Sequence, residues 1–247
     1  MIGEPVRLFV GTSGFGYPGW APRFYPRGLT ERDLLPFYAS RFPAVELNNT
    51  FYARPTVDRI RAWSAATPDG FKFVIKAQRG AISRALNSTP ADSVAWLTEH
   101  LDTFGDRLGA VLFSVAENVR RREDGSSETG LERLLAAWPS EITLVMEFQH
   151  ASWHVDDVFA LLRAGNAVLC ATERPEDELP PTLRLTGGTL YVRLRRHAYA
   201  HVEIAAWAER LRPFLDAGHP VFAFFRHDES GRATELADAL RARIETG

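Results

Sequence analysis

The sequence predicts an α/β fold: a single barrel of eight parallel strands, each but the sixth followed by a helix. Three observations carry this. Eight short apolar runs with a period of two are separated by stretches of helical period. Strands alternating with helices imply parallel pairing through right-handed crossovers. The length of 247 residues matches the ~250 at which eight such units close a TIM-type (β/α)8 barrel.

The first strand, Arg7–Ser13, opens into a glycine-rich loop with Phe15, Tyr17 and Trp20, then a helix over Thr30–Phe42. A second strand, Ala44–Phe51, leads to a helix over Val57–Ala66, for which Thr56 is the expected N-cap. The third, Phe71–Gln78, is followed by a helix over Ala91–Phe104. After the fourth, Leu108–Val115, the charged stretch Arg120–Gly130 reads as a mobile loop before a helix over Gly130–Trp138. The fifth strand, Ile142–Phe148, precedes a helix over Val155–Arg163 that Gly165 closes. The sixth, Ala167–Thr172, is followed by ERPEDELPPTLRLTGG (Glu173–Gly188), whose prolines and charges replace the sixth helix with an irregular loop. The seventh and eighth, Thr189–Arg195 and Pro220–His227, carry helices over Val202–Leu215 (closed by Gly218) and Ala233–Ile244.

Composition narrows the function. A formal net charge of −2 argues against a dedicated polyanion binder. Cys170 is the sole cysteine, so no intramolecular disulfide forms; it sits in an apolar run as a small core residue. The amino-terminal stretch lacks a leader pattern, and no apolar run approaches the ~18 residues of a membrane span, so a soluble cytoplasmic protein off the membrane is expected. Gly11-Thr-Ser-Gly14 lacks the G-x-G-x-x-G spacing, which argues against a dinucleotide loop, and no cofactor is expected.

Barrel sites form at the C-terminal ends of strands. Alternation places Glu46 and Asn48 on one strand, Lys76 and Gln78 on the next, then Glu147 and Gln149, and finally Arg193 and Arg195, all inward in the upper barrel. Buried charges need partners. A self-balanced ion network is one reading; a polar pocket whose surplus cations take an anion is the other, and a network can support such a pocket. Glu46, Glu147 and Lys76 are the expected catalytic groups. Asn48, Gln149, His150, Arg193 and Arg195 are expected to bind ligand, together with the rings of Tyr17, Trp20, Tyr52, Trp153 and Tyr199. His150, His197, His227 and Asp228 also follow strand ends, but without metal-ligand spacing, so no metal is expected.

The motifs GTSGFGYPGW, VELNNTFYARP, FKFVIKA, LGAVLF, MEFQHASW, YVRLRRHAY and FFRHDESGRA occur in this order. In them the chain resembles the YecE-like family, also called domain of unknown function 72, over nearly its full length. The resemblance implies a TIM-type barrel and supplies no reaction. It also marks departures: family members commonly carry tryptophan at Phe15, threonine-histidine at Ser83-Arg84, Gln-Leu-Pro-Pro at Ser114–Glu117, arginine at Gln149 and aspartate near Thr172. These imply either a changed ligand or a lost activity.

Two functions are therefore expected to compete. One is an enzyme using acid/base chemistry on a small anionic substrate, phosphorylated or containing a sugar or base, with a metal-assisted phosphodiesterase or isomerase as a variant. The other is a non-catalytic protein binding a small metabolite or a nucleic-acid end, the nucleic acid being the less favoured partner. The oligomeric state is not legible in the sequence.

Overall fold

The computed structural model of the chain describes residues 8–87 and 90–246. The strands are β1 (Leu8–Thr12), β2 (Ala44–Leu47), β3 (Lys72–Lys76), β4 (Leu108–Val115), β5 (Leu144–Phe148), β6 (Val168–Glu173), β7 (Leu190–Leu194) and β8 (Val221–Phe225). All neighbours pair in parallel, in the order β1-β8-β7-β6-β5-β4-β3-β2. A parallel bridge between Ser13 and Glu46 brings β1 beside β2, so the barrel is nearly closed. Arg7, the expected start of the first strand, lies outside the described residues.

The helices are α1 (Glu31–Ala39), α2 (Val57–Ala65), α3 (Arg79–Asn87), α4 (Pro90–Thr98), α5 (Ser126–Ala137), α6 (Asp156–Ala164), α7 (His201–Asp216) and α8 (Arg232–Glu245). Their ends follow local chemistry. Thr56 Oγ1 accepts the Arg59 amide at the start of α2, and Thr30 shares a capping box with Asp33 on α1. Beyond α7, Gly218 takes φ +83°, a conformation glycine adopts without a Cβ penalty. Among the described residues no helix is long and apolar enough to cross a membrane.

Period two sorts the core into two layers. Val45, Leu47, Phe73, Ile75, Met146 and Val192 pack beneath the helices. Val74, Leu112, Val145, Cys170, Tyr191 and Phe224 fill the barrel interior. The lower barrel is thus sealed by apolar groups, and any polar residue two positions further along the same strands is carried to the C-terminal end.

As expected, no helix occupies residues 174–189 between β6 and β7. The loop is pinned instead by Thr186, whose hydroxyl accepts the Leu169 amide (2.8 Å) and donates to the Ala167 carbonyl (2.7 Å). Beside it, β5 and β6 pair only through Val145–Val168 and Met146–Leu169, then diverge.

Three expectations are corrected. The second strand stops at Leu47 rather than Phe51: Asn48 turns into αR space and Asn49–Phe51 form a 3-10 turn, asparagine being a turn former. A helix not anticipated, α3, follows β3 directly, with Gln78 Oε1 accepting the Ala81 amide at its start. Arg120–Gly130 is not a free loop. Its end is the first turn of α5, and the Arg121 amide donates to Ser152 Oγ (2.9 Å) while its guanidinium engages Glu128.

Candidate functional site

Glu46, Lys76, Glu147 and Arg193 lie on β2, β3, β5 and β7 at the inward parity of Ala44, Val74, Val145 and Tyr191. Glu46, Glu147 and Arg193 are each no more than 1% exposed, and burial of three charges is tolerable only with full pairing. Arg193 supplies it. Nη1 donates to both oxygens of Glu147 (2.8 Å each), and Nη2 donates to Glu46 Oε1 (2.7 Å).

Hydroxyls complete both carboxylates. Ser13 donates to Glu46 Oε1 (3.0 Å) and Tyr191 to Glu46 Oε2 (2.7 Å). Thr172 donates to Glu147 Oε1 (2.7 Å) and Ser114 to Glu147 Oε2 (2.5 Å), while Gln149 Nε2 donates onward to Ser114 Oγ (3.1 Å). Burial, the largest single effect, raises both carboxyls, but the Arg193 guanidinium and the donated hydrogen bonds, with Lys76 for Glu46, together outweigh it, so Glu46 lies below the ordinary carboxylate range and Glu147 well below it. Both glutamates are ionised. Conversely, Glu147 and Glu46 outweigh the burial of Arg193 and raise its guanidinium further.

Two further cations reach the mouth without such partners. Lys76, half-buried, lies over the Phe51 ring (4.7 Å) and makes no ion pair with a described carboxylate. Burial lowers its ammonium from the usual value and Arg193 adds to this, against the opposing pull of Glu46 and Glu147. Arg195, one step beyond β7, is also half-buried and has no described carboxylate within ion-pair distance; burial and Arg193 lower it too, but a guanidinium stays charged. Arg193 Nε and His227 Nδ1 are buried with no hydrogen-bond partner among the described residues. His227 stacks on Tyr17 (4.8 Å, 8°), and burial, reinforced by Arg226 and Arg195, pushes its imidazole below 6.5, so it is neutral at neutral pH.

The other expected ligand contacts divide sharply. Tyr17 stands at the mouth beside His227, its hydroxyl donating to the Ser13 carbonyl (3.3 Å). Trp20 does not line a pocket: it is fully buried, stacked on Tyr25, with its indole donating to the Asp228 carbonyl (2.7 Å). Trp153 is likewise buried against Phe148 and bonded to the Val119 carbonyl. Tyr199 is buried on the helix side, donating to Glu173 (2.6 Å), which also accepts from Trp207. Large rings near loops were spent on packing. Asn48, beyond the strand, has no inward parity, and Tyr52 is 82% exposed.

His150 uses Nδ1 on Ser152, and Asp228 accepts the amides of Ser230, Arg232 and Ala233 ahead of α8. Both therefore order loops. Among the described residues no three His, Cys, Asp or Glu side chains are grouped to hold a metal.

Sequence reasoning missed Ser13, Ser114, Thr172 and Tyr191, although all share the inward parity of the charges they serve. It also left His227 out of the binding set. Three departures from the family pattern, Ser114, Gln149 and Thr172, meet at Glu147. A cleft lined by Gln149, Cys170, Thr172 and Arg174 approaches this network from the side, where β5 and β6 part.

Comparison with known proteins agrees with the barrel. The Bacillus subtilis (strain 168) UPF0759 protein YunF is 23% identical over 89% of this chain and 90% of its own. A DUF72 family protein of Thermotoga maritima MSB8 superposes with a TM-score of 0.78 at 22% identity, covering 96% of this chain and 99% of the other. One from Enterococcus faecalis V583 gives 0.73 at 19% identity, covering 87% and 94%. These structural likenesses establish the fold. The family described as protein of unknown function DUF72 matches residues 9–247, and the chain belongs to that family.

Proposed function

We propose that the C-terminal mouth of the barrel binds a small anionic compound and that the protein is an enzyme acting on it. One observation carries this reading. The Glu46–Arg193–Glu147 network joins two carboxylates to one guanidinium, while Lys76 and Arg195 stand at the mouth with no ion pair to a described carboxylate, leaving one cation in excess. Three cations against two carboxylates in a low-dielectric barrel favour an anion. Arg195 offers a forked donor suited to a phosphate or carboxylate. The partnerless Arg193 Nε and His227 Nδ1 add polar contacts, and Tyr17 a ring.

The arrangement alters the expected division of labour. Glu46 and Glu147 are ionised and saturated with donors, so neither is an acid at neutral pH. Their role is to fix Arg193 and set the local field. Lys76 and His227 carry the proton-transfer chemistry, since burial favours the uncharged, proton-accepting form of both nitrogens. The saturation of both glutamates also favours the second reading, binding without turnover.

Thermal shift with sugar phosphates, nucleotides and small carboxylates tests the site, because a ligand that binds the folded state raises its stability. At least one anion stabilises the wild type, and Arg195→Met removes that effect. If no anion stabilises the protein, or Arg195→Met responds as wild type does, the site is lost. A bound anion left chemically unchanged over hours of incubation selects the non-catalytic reading.

A further inference from the structure

The chain has 29 basic residues, and only two are lysines, Lys72 and Lys76; the other 27 are arginine. Elsewhere arginine supplies the positive charge: at Arg193 inside the barrel, where its two terminal nitrogens serve two carboxylates, at Arg174 on the β6–β7 loop and along the helices. Both lysines lie on β3 with the same parity, separated by roughly 13 Å at the strand rise of ~3.3 Å per residue. Lys72 sits at the bottom of the barrel, where its ammonium donates to the Asp106 carbonyl. Lys76 is at the top, facing inward.

A lysine does one thing an arginine does not: it gives up its proton within reach of neutral pH and attacks carbon. The surroundings of Lys76 favour that. No described carboxylate pairs with it directly, although Glu46 and Glu147 are near enough to be felt, because both are committed to Arg193. The cations Arg193 and Arg195 stand on the strand across the barrel, and the Phe51 face covers the amine on one side. The ring face on its own favours the ammonium, but burial and the neighbouring guanidinium prevail and lower it. A desolvated amine beside another cation is the arrangement that activates a lysine for imine formation.

We infer that Lys76 is a nucleophile that forms an imine with an aldehyde or ketone whose anionic group is held by Arg195. This rests on the anion site proposed above and specifies its substrate class as an anionic carbonyl compound. The neutral Nζ attacks the carbonyl carbon, and the C–O π pair moves to oxygen. One amine proton passes to that oxygen, giving a carbinolamine. The C–O bond then breaks and the second amine proton leaves with the hydroxyl, so water departs and a C=N bond remains. No oxidant or reductant takes part. His227, neutral with an unused buried Nδ1, is the basic group at the same mouth.

Pyridoxal 5′-phosphate, an aldehyde bearing a phosphate, tests this as a probe. The protein is incubated with it and reduced with borohydride, and the adduct is located by peptide mapping. Only two lysines and the amino terminus compete, so the map is simple. The expected result is one adduct, on Lys76, displaced by inorganic phosphate and formed at least tenfold more slowly in Arg195→Met. Lys76→Arg keeps the charge and takes no adduct.

Labelling of Lys72 or the terminus as fast as Lys76, or an undiminished adduct in Lys76→Arg, overturns the inference. Stabilisation by phosphate without an adduct at Lys76 overturns it while leaving the anion site standing. An adduct on Lys76 that forms equally well with pyridoxal lacking the phosphate keeps the nucleophile and removes the anion site. Absence of both signals removes both. A positive result is extended by trapping with glyoxylate, pyruvate and glyceraldehyde 3-phosphate.

Discussion

Arg193 Nη1 lies 2.8 Å from each carboxylate oxygen of Glu147, while Nη2 of the same guanidinium reaches Glu46 at 2.7 Å. One side chain on β7 thereby ties β5 to β2 across the barrel interior. The barrel's ring closure, the Ser13–Glu46 bridge, is fastened again by the Ser13 hydroxyl, which donates to Glu46 Oε1, the oxygen that Arg193 Nη2 also reaches.

Removing that guanidinium leaves two buried carboxylates uncompensated. Arg193→Ala is expected to lower stability by about 3–5 kcal/mol, read as a shift in the urea midpoint. A midpoint near that of wild type would mean that the two glutamates find other counter-charges.

Acid should act through the same groups. The folded-state carboxyls of Glu46 and Glu147 lie below the 4.5 of an ordinary glutamate, so the unfolded chain takes up protons first as pH falls. Their stabilisation is full above about pH 4.5 and declines as pH drops toward the folded values. Urea midpoints between pH 2 and 6 should fall with acid, and Glu147→Gln should flatten that slope. An equal slope in wild type and variant contradicts the assignment.

The rings give opposite expectations. Trp20 is buried with its indole bonded to the Asp228 carbonyl, and Trp20→Ala should cost about 3–5 kcal/mol. Tyr52 is 82% exposed, and Tyr52→Ala should stay within about 0.5 kcal/mol. Thermal denaturation of both variants decides it.

Arg195 separates binding from folding. Since it makes no described ion pair, Arg195→Met should change the urea midpoint little while weakening binding of the best anion at least tenfold in a calorimetric titration. A large loss of stability with unchanged affinity would make Arg195 a structural residue.

The barrel was readable because period two is rigid: once Val74 and Val145 faced inward, Lys76 and Glu147 followed. The same rule fails where a strand ends early. VELNNTFY has strand-like alternation throughout, but its two asparagines turn the chain after Leu47, and Asn48 left the set. Ser114 and Thr172 stood out only as departures from the family pattern, and nothing in the sequence tied them to Glu147 beyond parity, since serine and threonine are ordinary on strands. The rings failed for another reason. Whether Trp20 or Trp153 faces a ligand or a neighbouring loop depends on contacts made far along the chain, such as Trp20 with Asp228.

The two-residue ladder between β5 and β6, with no helix in the loop after β6, is the weakest of the barrel's ladders apart from the single Ser13–Glu46 bridge that brings β1 beside β2. Along the longer ladders a rung lost is shared among neighbours; here little is left to share. Local opening begins where backbone bonds are few and poorly covered, so amide hydrogens of Phe148 and Ala171 should exchange with solvent well before those of the centrally paired β4. Opening at that line would loosen Glu147 and Thr172 on its two lips, and with them the grip on Arg193. The barrel can thus breathe beside its charged network while the longer ladders stay shut.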